Sequence, residues 1–289
     1  MTKAESEPLV PMTVAIAAVL TLWPATAMAR DSVTDTYGGR DMIVHVPDRL
    51  PVAGSRALVI VLHGGLGNAD RIANGQSESG LNMDAVAEKD GFIVAYLNGT
   101  PVTRFLGKRM LGWNAGGGCC GQPAQTGVDD VAYISGAVAY LASKYGVDRA
   151  RIFGTGHSNG AVMTQRLMCE THLYAAAVTF SGPLGADTDR CPAAKGRRIL
   201  AVHGADDRNV PVEGGRGSKG LSGVAFGSEE HARKVFTDSG ATYTLQIVPD
   251  ADHALDHIGA AILKSEGVTI AEKSARFFGI SANHDPSAK

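Results

Sequence analysis

The chain has 289 residues, 44% hydrophobic and 19% charged, with a formal net charge of −2. No basic excess exists to neutralise a phosphate backbone, so nucleic-acid binding is not expected. The apolar share and small net charge exclude a disordered chain, and the 36 glycines show no three-residue period, which excludes collagen.

In chain order, the first feature is an uncharged apolar run over 12–23, MTVAIAAVLTLW, followed by Pro24 and the triplet Ala27-Met28-Ala29. That layout predicts a secretory signal peptide over 1–29, cleaved after Ala29. The run is too short for a transmembrane helix, which needs roughly 20 residues. No other stretch could span a bilayer, so no stable membrane insertion is expected after cleavage. Four cysteines, Cys119, Cys120, Cys169 and Cys191, suit an exported protein. The predicted destination is therefore extracellular or periplasmic. Residues 30–289 read as one domain, with no internal repeat and no linker.

Apolar extended runs then alternate with helical patterns. Strands are predicted over 42–46, 58–62, 92–96, 151–154, 176–180, 199–202 and 242–248. Several are continuous apolar runs, as strands buried on both faces should be. Helices are predicted over 83–89, 131–144, 160–170, 229–238 and 270–278; in the second, Val131, Ile134, Val138 and Leu141 recur at helical spacing. The alternation predicts an α/β fold, a mostly parallel sheet with helices on both faces. Two long loops, 98–129 and 208–228, interrupt it, and loops of that length are usually functional or disordered.

Gly156-His157-Ser158-Asn159-Gly160 matches G-x-S-x-G and lies between the short strand RIFGTG and the helix AVMTQRLMCE. That is the strand–turn–helix setting of a nucleophile elbow. A serine hydroxyl is a weak nucleophile that needs a base, and the base needs an orienting acid. On this fold the acid and then the base follow the serine in the chain. ILAVHGADDRNVP places Asp206 and Asp207 just past a strand end, and TYTLQIVPDADH places His253 past the next. Of the other later histidines, His231 lies in a charged helix and His284 in the polar tail. His257 is the competitor, but it opens or precedes a helix. An oxyanion hole needs two backbone donors. Asn159, after the serine, supplies one. His63-Gly64-Gly65, ending an early strand, supplies the other through Gly65, with Leu66 as the alternative. The carboxylates near His253 read as a solvated turn, and no metal is expected.

HGG, WNAGGGCCG, VDDV, GHSNGA, HGADDRNVPVEGG and DADH, in this order, resemble the secreted polyhydroxybutyrate depolymerase and feruloyl esterase group of α/β-hydrolases, close to carbohydrate esterase family 1. The likeness runs from about 41 to 278. It implies the α/β-hydrolase fold, Ser158 as nucleophile, Asp207 rather than Asp206 as acid, and His253 as base, with no cofactor. It also implies a shallow site for a polymeric or bulky ester, with Trp113 lining it. The chain departs from the group at Val212 and at Ala254-Leu255-Asp256, positions near the substrate. Asp129 and Asp130 are expected to cap the following helix.

On that fold Cys169 lies 11 residues along the helix from Ser158, roughly 16 Å from the active-site end. Cys191 precedes a strand and lies at the same lower edge, so a Cys169–Cys191 disulfide is expected. Cys119 and Cys120 are either an adjacent disulfide or free thiols. The leading expectation is a secreted serine ester hydrolase acting on polyester. Feruloyl or acetyl-xylan esterase, an acyltransferase and a non-catalytic binding protein are the alternatives. The oligomeric state is not readable.

Overall fold

The computed structural model describes Met1 and residues 32–102, 110–185, 188–220 and 222–281. Apart from Met1, the expected signal peptide lies outside the described residues. In chain order come β1 (Val33–Tyr37), β2 (Arg40–His45), β3 (Arg56–Leu62), α1 (Ala69–Ala73), α2 (Asp84–Asp90), β4 (Ile93–Leu97), β5 (Thr100–Pro101) and β6 (Leu111–Gly112). Then follow α3 (Gly121–Gln125), α4 (Asp130–Tyr145), β7 (Val147–His157), α5 (Asn159–Glu170), β8 (Ala176–Phe180) and β9 (Arg198–Gly204). Last come β10 (Gly215–Arg216), β11 (Ala225–Phe226), α6 (Glu229–Asp238), β12 (Thr242–Val248), α7 (Leu255–Glu266) and α8 (Ile270–Phe278).

Eight strands form one sheet in the order β1-β2-β4-β3-β7-β8-β9-β12. β5–β6 and β10–β11 form separate antiparallel pairs. Within the large sheet β1–β2 and β2–β4 pair antiparallel and the other pairings are parallel. The run ALVIVL in β3 explains why. Leu58, Ile60 and Leu62 face one core with Ile134, Val138, Leu141, Val162 and Leu167 from α4 and α5. Val59 and Val61 face the opposite core with Ile72, Ile258, Ile262 and Phe278. Alternate side chains point to opposite faces of a strand, so helices on both sides require an unbroken apolar run.

The predicted strands and helices all appear; the short elements α1, and β5, β6, α3, β10 and β11 inside the two expected long loops, are additional, and three further elements also differ from expectation. β7 begins at Val147, earlier than residue 151, because its polar start still pairs with β3 through Arg56 and Val147. β1 was not predicted: its polar, half-exposed residues hide a strand that pairs with β2 across the Gly38-Gly39 turn. α7 was given no range, although a helix was expected to begin at or just after His257, which lies in its first turn. Gly259 interrupts its pattern, yet Leu255, Ile258 and Ile262 form the buried stripe.

Candidate active site

Every parallel strand ends at the same edge of the sheet, and the candidate residues collect there. β7 runs into Ser158, which takes φ 53° and ψ −122°, and α5 starts at the next residue. A positive φ in a side-chain-bearing residue is a strained turn, typical of functional sites. Neighbouring hydrogen bonds hold it: Ser158 N–H donates to Phe180 O at 2.9 Å, and Ser158 O accepts from Val162 N–H at 3.0 Å. The flanking glycines are steric necessities. A Cβ on Gly156 would lie 2.6 Å from the Gly160 carbonyl, and one on Gly160 would lie 2.6 Å from His63 O. The first turn of α5 therefore packs directly on the end of β3.

Ser158 Oγ lies 2.9 Å from His253 Nε2. His253 Nδ1 lies 2.7 Å from Asp207 Oδ2. The second oxygen, Asp207 Oδ1, accepts from the N–H groups of Asn209 and Val210, both at 2.8 Å. Burial alone would raise the Asp207 pKa, but the donors His203, His253 and Val210 outweigh it and hold the carboxyl well below the usual range. The His253 pKa is lowered, first by burial and then by the nearby His157 and His203, against the pull of Asp207. A neutral imidazole with an ionised partner is the state a general base needs. Asp206, the neighbouring alternative, is exposed. His257 sits on α7, also exposed, with Nδ1 2.8 Å from Asp252 Oδ1.

The two proposed oxyanion donors face the same cleft. It holds about 420 Å³ and is lined by Gly65, Ser158, Asn159 and His253, with apolar walls from Leu66, Val102, Val210 and Phe226. Leu66 N–H is occupied by Leu111 O at 2.8 Å, which removes the alternative donor. Among the described residues neither Gly65 N–H nor Asn159 N–H has a protein acceptor.

Trp113 requires a correction. The ring expected to line the cleft is fully buried and is absent from its wall. Its indole Nε1–H donates to His63 O at 2.9 Å. Its backbone N–H donates to Asn159 Oδ1 at 2.7 Å, and its carbonyl accepts from Asn159 Nδ2 at 3.1 Å. A large ring with one polar atom is stable in a core when that atom finds a partner, and here the partner is the strand end beneath Gly65. Trp113 thus ties the long loop to both sides of the oxyanion pocket.

Asp129 accepts from Ala132 N–H at 2.9 Å as the cap of α4. Asp130 lies inside the first turn, where it pairs with Arg40 at 2.6 Å and accepts from Asn114 N–H at 2.7 Å. Cys169 and Cys191 form a disulfide, with Cα atoms 4.3 Å apart, at the far end of α5. Cys119 and Cys120 are joined to each other. Cys120 lines the cleft, and Cys119 Sγ is 3.5 Å from Asn159 Nδ2.

Sequence reading missed Glu78, His157, His203 and Glu229. His157 Nδ1 is 2.6 Å from Glu78 Oε1, and Nε2 is 2.8 Å from His253 O. Glu78 also accepts from Gly64 N–H at 3.0 Å, so this pair joins the oxyanion loop to the histidine loop. Burial works against charge on His157, but the Glu78 carboxylate overrides it and raises the pKa. His157 stood in the motif as an unassigned position. Glu78, in a polar loop, carried no pattern at all.

The Phospholipase/Carboxylesterase family model matches residues 51–258. The chain belongs to this family. Its central sheet, flanked by helices, is the α/β-hydrolase fold. Among curated proteins, it is 29% identical over 183 residues to a probable feruloyl esterase C of Aspergillus clavatus, covering 62% of this chain and 58% of that one. It is 32% identical over 154 residues to a probable acetylxylan esterase A of Aspergillus terreus, covering 49% of this chain and 42% of that one. The alignments thus span about half the length of these relatives. Among solved structures, a poly(3-hydroxybutyrate) depolymerase, LpqC of Bordetella parapertussis, superposes with a TM-score of 0.51 at 14% identity. That match covers 83% of this chain and 91% of that one. At such identity the likeness concerns the fold alone.

Proposed function

We propose that the chain is a serine carboxylic-ester hydrolase that works through an acyl-enzyme. The observation that carries this reading is the hydrogen-bonded series Ser158–His253–Asp207, at 2.9 and 2.7 Å, opening on a cleft with two unengaged backbone donors. Ser158 Oγ attacks the ester carbonyl while His253 Nε2 takes its proton. Gly65 and Asn159 N–H groups receive the oxyanion. Asp207 keeps the Nδ1 proton in place and stabilises the imidazolium. Collapse returns the proton to the leaving alcohol. Water then attacks the acyl group, gives its proton to His253, and releases the acid.

The substrate is a bulky ester carried on a polymer, consistent with the apolar cleft walls. The ordered motifs resemble the polyester depolymerase and feruloyl esterase group alike, and a polyester such as poly(3-hydroxybutyrate) is our leading reading. The feruloyl and acetylxylan esterase relatives favour acyl groups on plant polysaccharide. The apolar leader pattern and two disulfides support export.

Purified protein and its Ser158→Ala variant should be incubated with poly(3-hydroxybutyrate), methyl ferulate and acetyl-xylan, and released acid quantified. Serine-dependent hydroxybutyrate release assigns the polyester; ferulate or acetate alone assigns the polysaccharide esters. Equal release by parent and variant overturns the nucleophile. Slow release accelerated by an added alcohol indicates acyl transfer instead.

A further inference from the structure

Behind Asp207 lies a buried charged layer that the reaction as written does not use. His203, on β9, and Glu229, at the first turn of α6, are 0% and 1% exposed. His203 Nε2 lies 3.1 Å from Asp207 Oδ2 and 2.8 Å from Val210 O. His203 Nδ1 lies 2.8 Å from Glu229 Oε1. Both ring nitrogens therefore face acceptors. A neutral imidazole has one N–H and one lone pair, so one side would meet an acceptor with no proton between them. The geometry calls for the imidazolium.

The layer is anchored beyond Glu229. Tyr243 OH, on β12, donates to Glu229 Oε2 at 2.7 Å and accepts from Gln165 Nε2, on α5, at 3.1 Å. Gln165 Nε2 also lies 2.9 Å from Gly182 O. The groups facing His203 are thus Asp207 from the loop after its own strand, Glu229 from α6 and Val210 O. Tyr243 reaches it through Glu229, and His253 through Asp207. His157, paired with Glu78, stands on the other side of His253, with ring centroids 5.0 Å apart.

A buried ion pair is not in itself a source of stability, because desolvating two charges offsets their attraction. Asp207 already has two backbone donors on Oδ1. What His203 adds is a fixed charged donor on Oδ2, the oxygen that also holds His253.

We propose that the buried His203–Glu229 pair is a positioning device for the catalytic acid: Glu229 keeps His203 an imidazolium, and His203 clamps Asp207 Oδ2 in line with His253 Nδ1. This rests on Ser158, His253 and Asp207 acting as proposed above. Burial opposes the charge on His203, but Asp207 and Glu229 overcome it and raise the pKa to about 9. The device therefore holds through neutral pH and releases in mild alkali.

The test compares full-length parent, His203→Gln and Glu229→Gln with a soluble ester from pH 5 to 10. Each preparation is normalised by fluorophosphonate titration of Ser158, so unfolded protein does not count. Loss of one hydrogen bond to a charged group predicts a kcat fall of roughly 10- to 100-fold with little change in KM. In Glu229→Gln the alkaline fall of kcat should move at least about one pH unit lower, because His203 loses its counter-charge. In His203→Gln that fall should vanish, and the acid limb should move to higher pH as a positive charge leaves the surroundings of His253. Parent-like kcat and parent-like pH limbs overturn the proposal. So does a kcat fall with unmoved limbs, which marks a merely structural role. A parent with no Ser158-dependent turnover overturns the triad reading and this proposal with it, whereas an active parent with unaffected variants overturns this proposal alone.

Discussion

Trp113→Phe separates a structural ring from a substrate-lining one. The substitution keeps most of the apolar volume and every backbone hydrogen bond to Asn159. It removes the indole N–H, leaving His63 O without that donor. An unsatisfied buried carbonyl costs about 1–3 kcal/mol. The void of a few tens of Å³ adds about 1 kcal/mol at ~24 cal/mol per Å³. The sum is roughly 2–4 kcal/mol, which lowers Tm by about 4–16 °C in a chain of this size. Urea unfolding and thermal melts measure the stability, and steady-state kinetics on a soluble ester measure KM. The expected result is a clear stability loss with KM within about twofold, since the ring does not reach the cleft wall. An unchanged Tm together with a KM raised severalfold would refute the reasoning, because the ring would then be spending its contacts on substrate.

Three further outcomes follow from the same geometry. Replacing Cys169 and Cys191 together by serine should cost about 3 kcal/mol in urea unfolding, while the initial rate at 25 °C persists because the bridge closes the end of α5 remote from Ser158. Gly160→Ala places a methyl 2.6 Å from His63 O, so it should cost ~1–3 kcal/mol or more; a melt superimposable on the parent would contradict the close approach of α5 to β3. Stability should also fall in mild alkali. His203 is raised from 6.5 to about 9 on folding, so the protonation-linked part of its contribution is complete below pH ~6.5 and disappears as pH rises through about 9. Asp207 is depressed, so its contribution is present above the ordinary carboxylate pKa of about 4 and declines as pH falls below it. A urea midpoint independent of pH between 7 and 10 would contradict the first half.

The sequence by itself determined the sheet and the strong helices. Runs such as LVIVL and AAVTF can only be buried on both faces, and buried parallel strands need crossover helices between them. The elbow was equally plain, since strand, glycine, serine, glycine and helix are adjacent in the chain. The fold class followed from these patterns, whereas the family likeness rested on the ordered motifs from HGG to DADH. His253 could be preferred over His257 because it follows a strand end, where the serine also lies. Between Asp206 and Asp207 the residues alone did not choose; the resemblance pointed to Asp207.

The tertiary structure decided what depends on orientation and on long separations. Asp207 turns inward and Asp206 outward through the local path of one loop, held by Asn209 and Val210 N–H groups. Trp113 left the cleft because its indole found the carbonyl of His63, 50 residues away in sequence. The pairs Glu78–His157 and His203–Glu229 span 79 and 26 residues, and no periodicity marks such partners. Hydrophobic patterning reports which side of an element faces the core. It carries no record of which buried charges meet there, because that choice is made by distances only the folded chain defines.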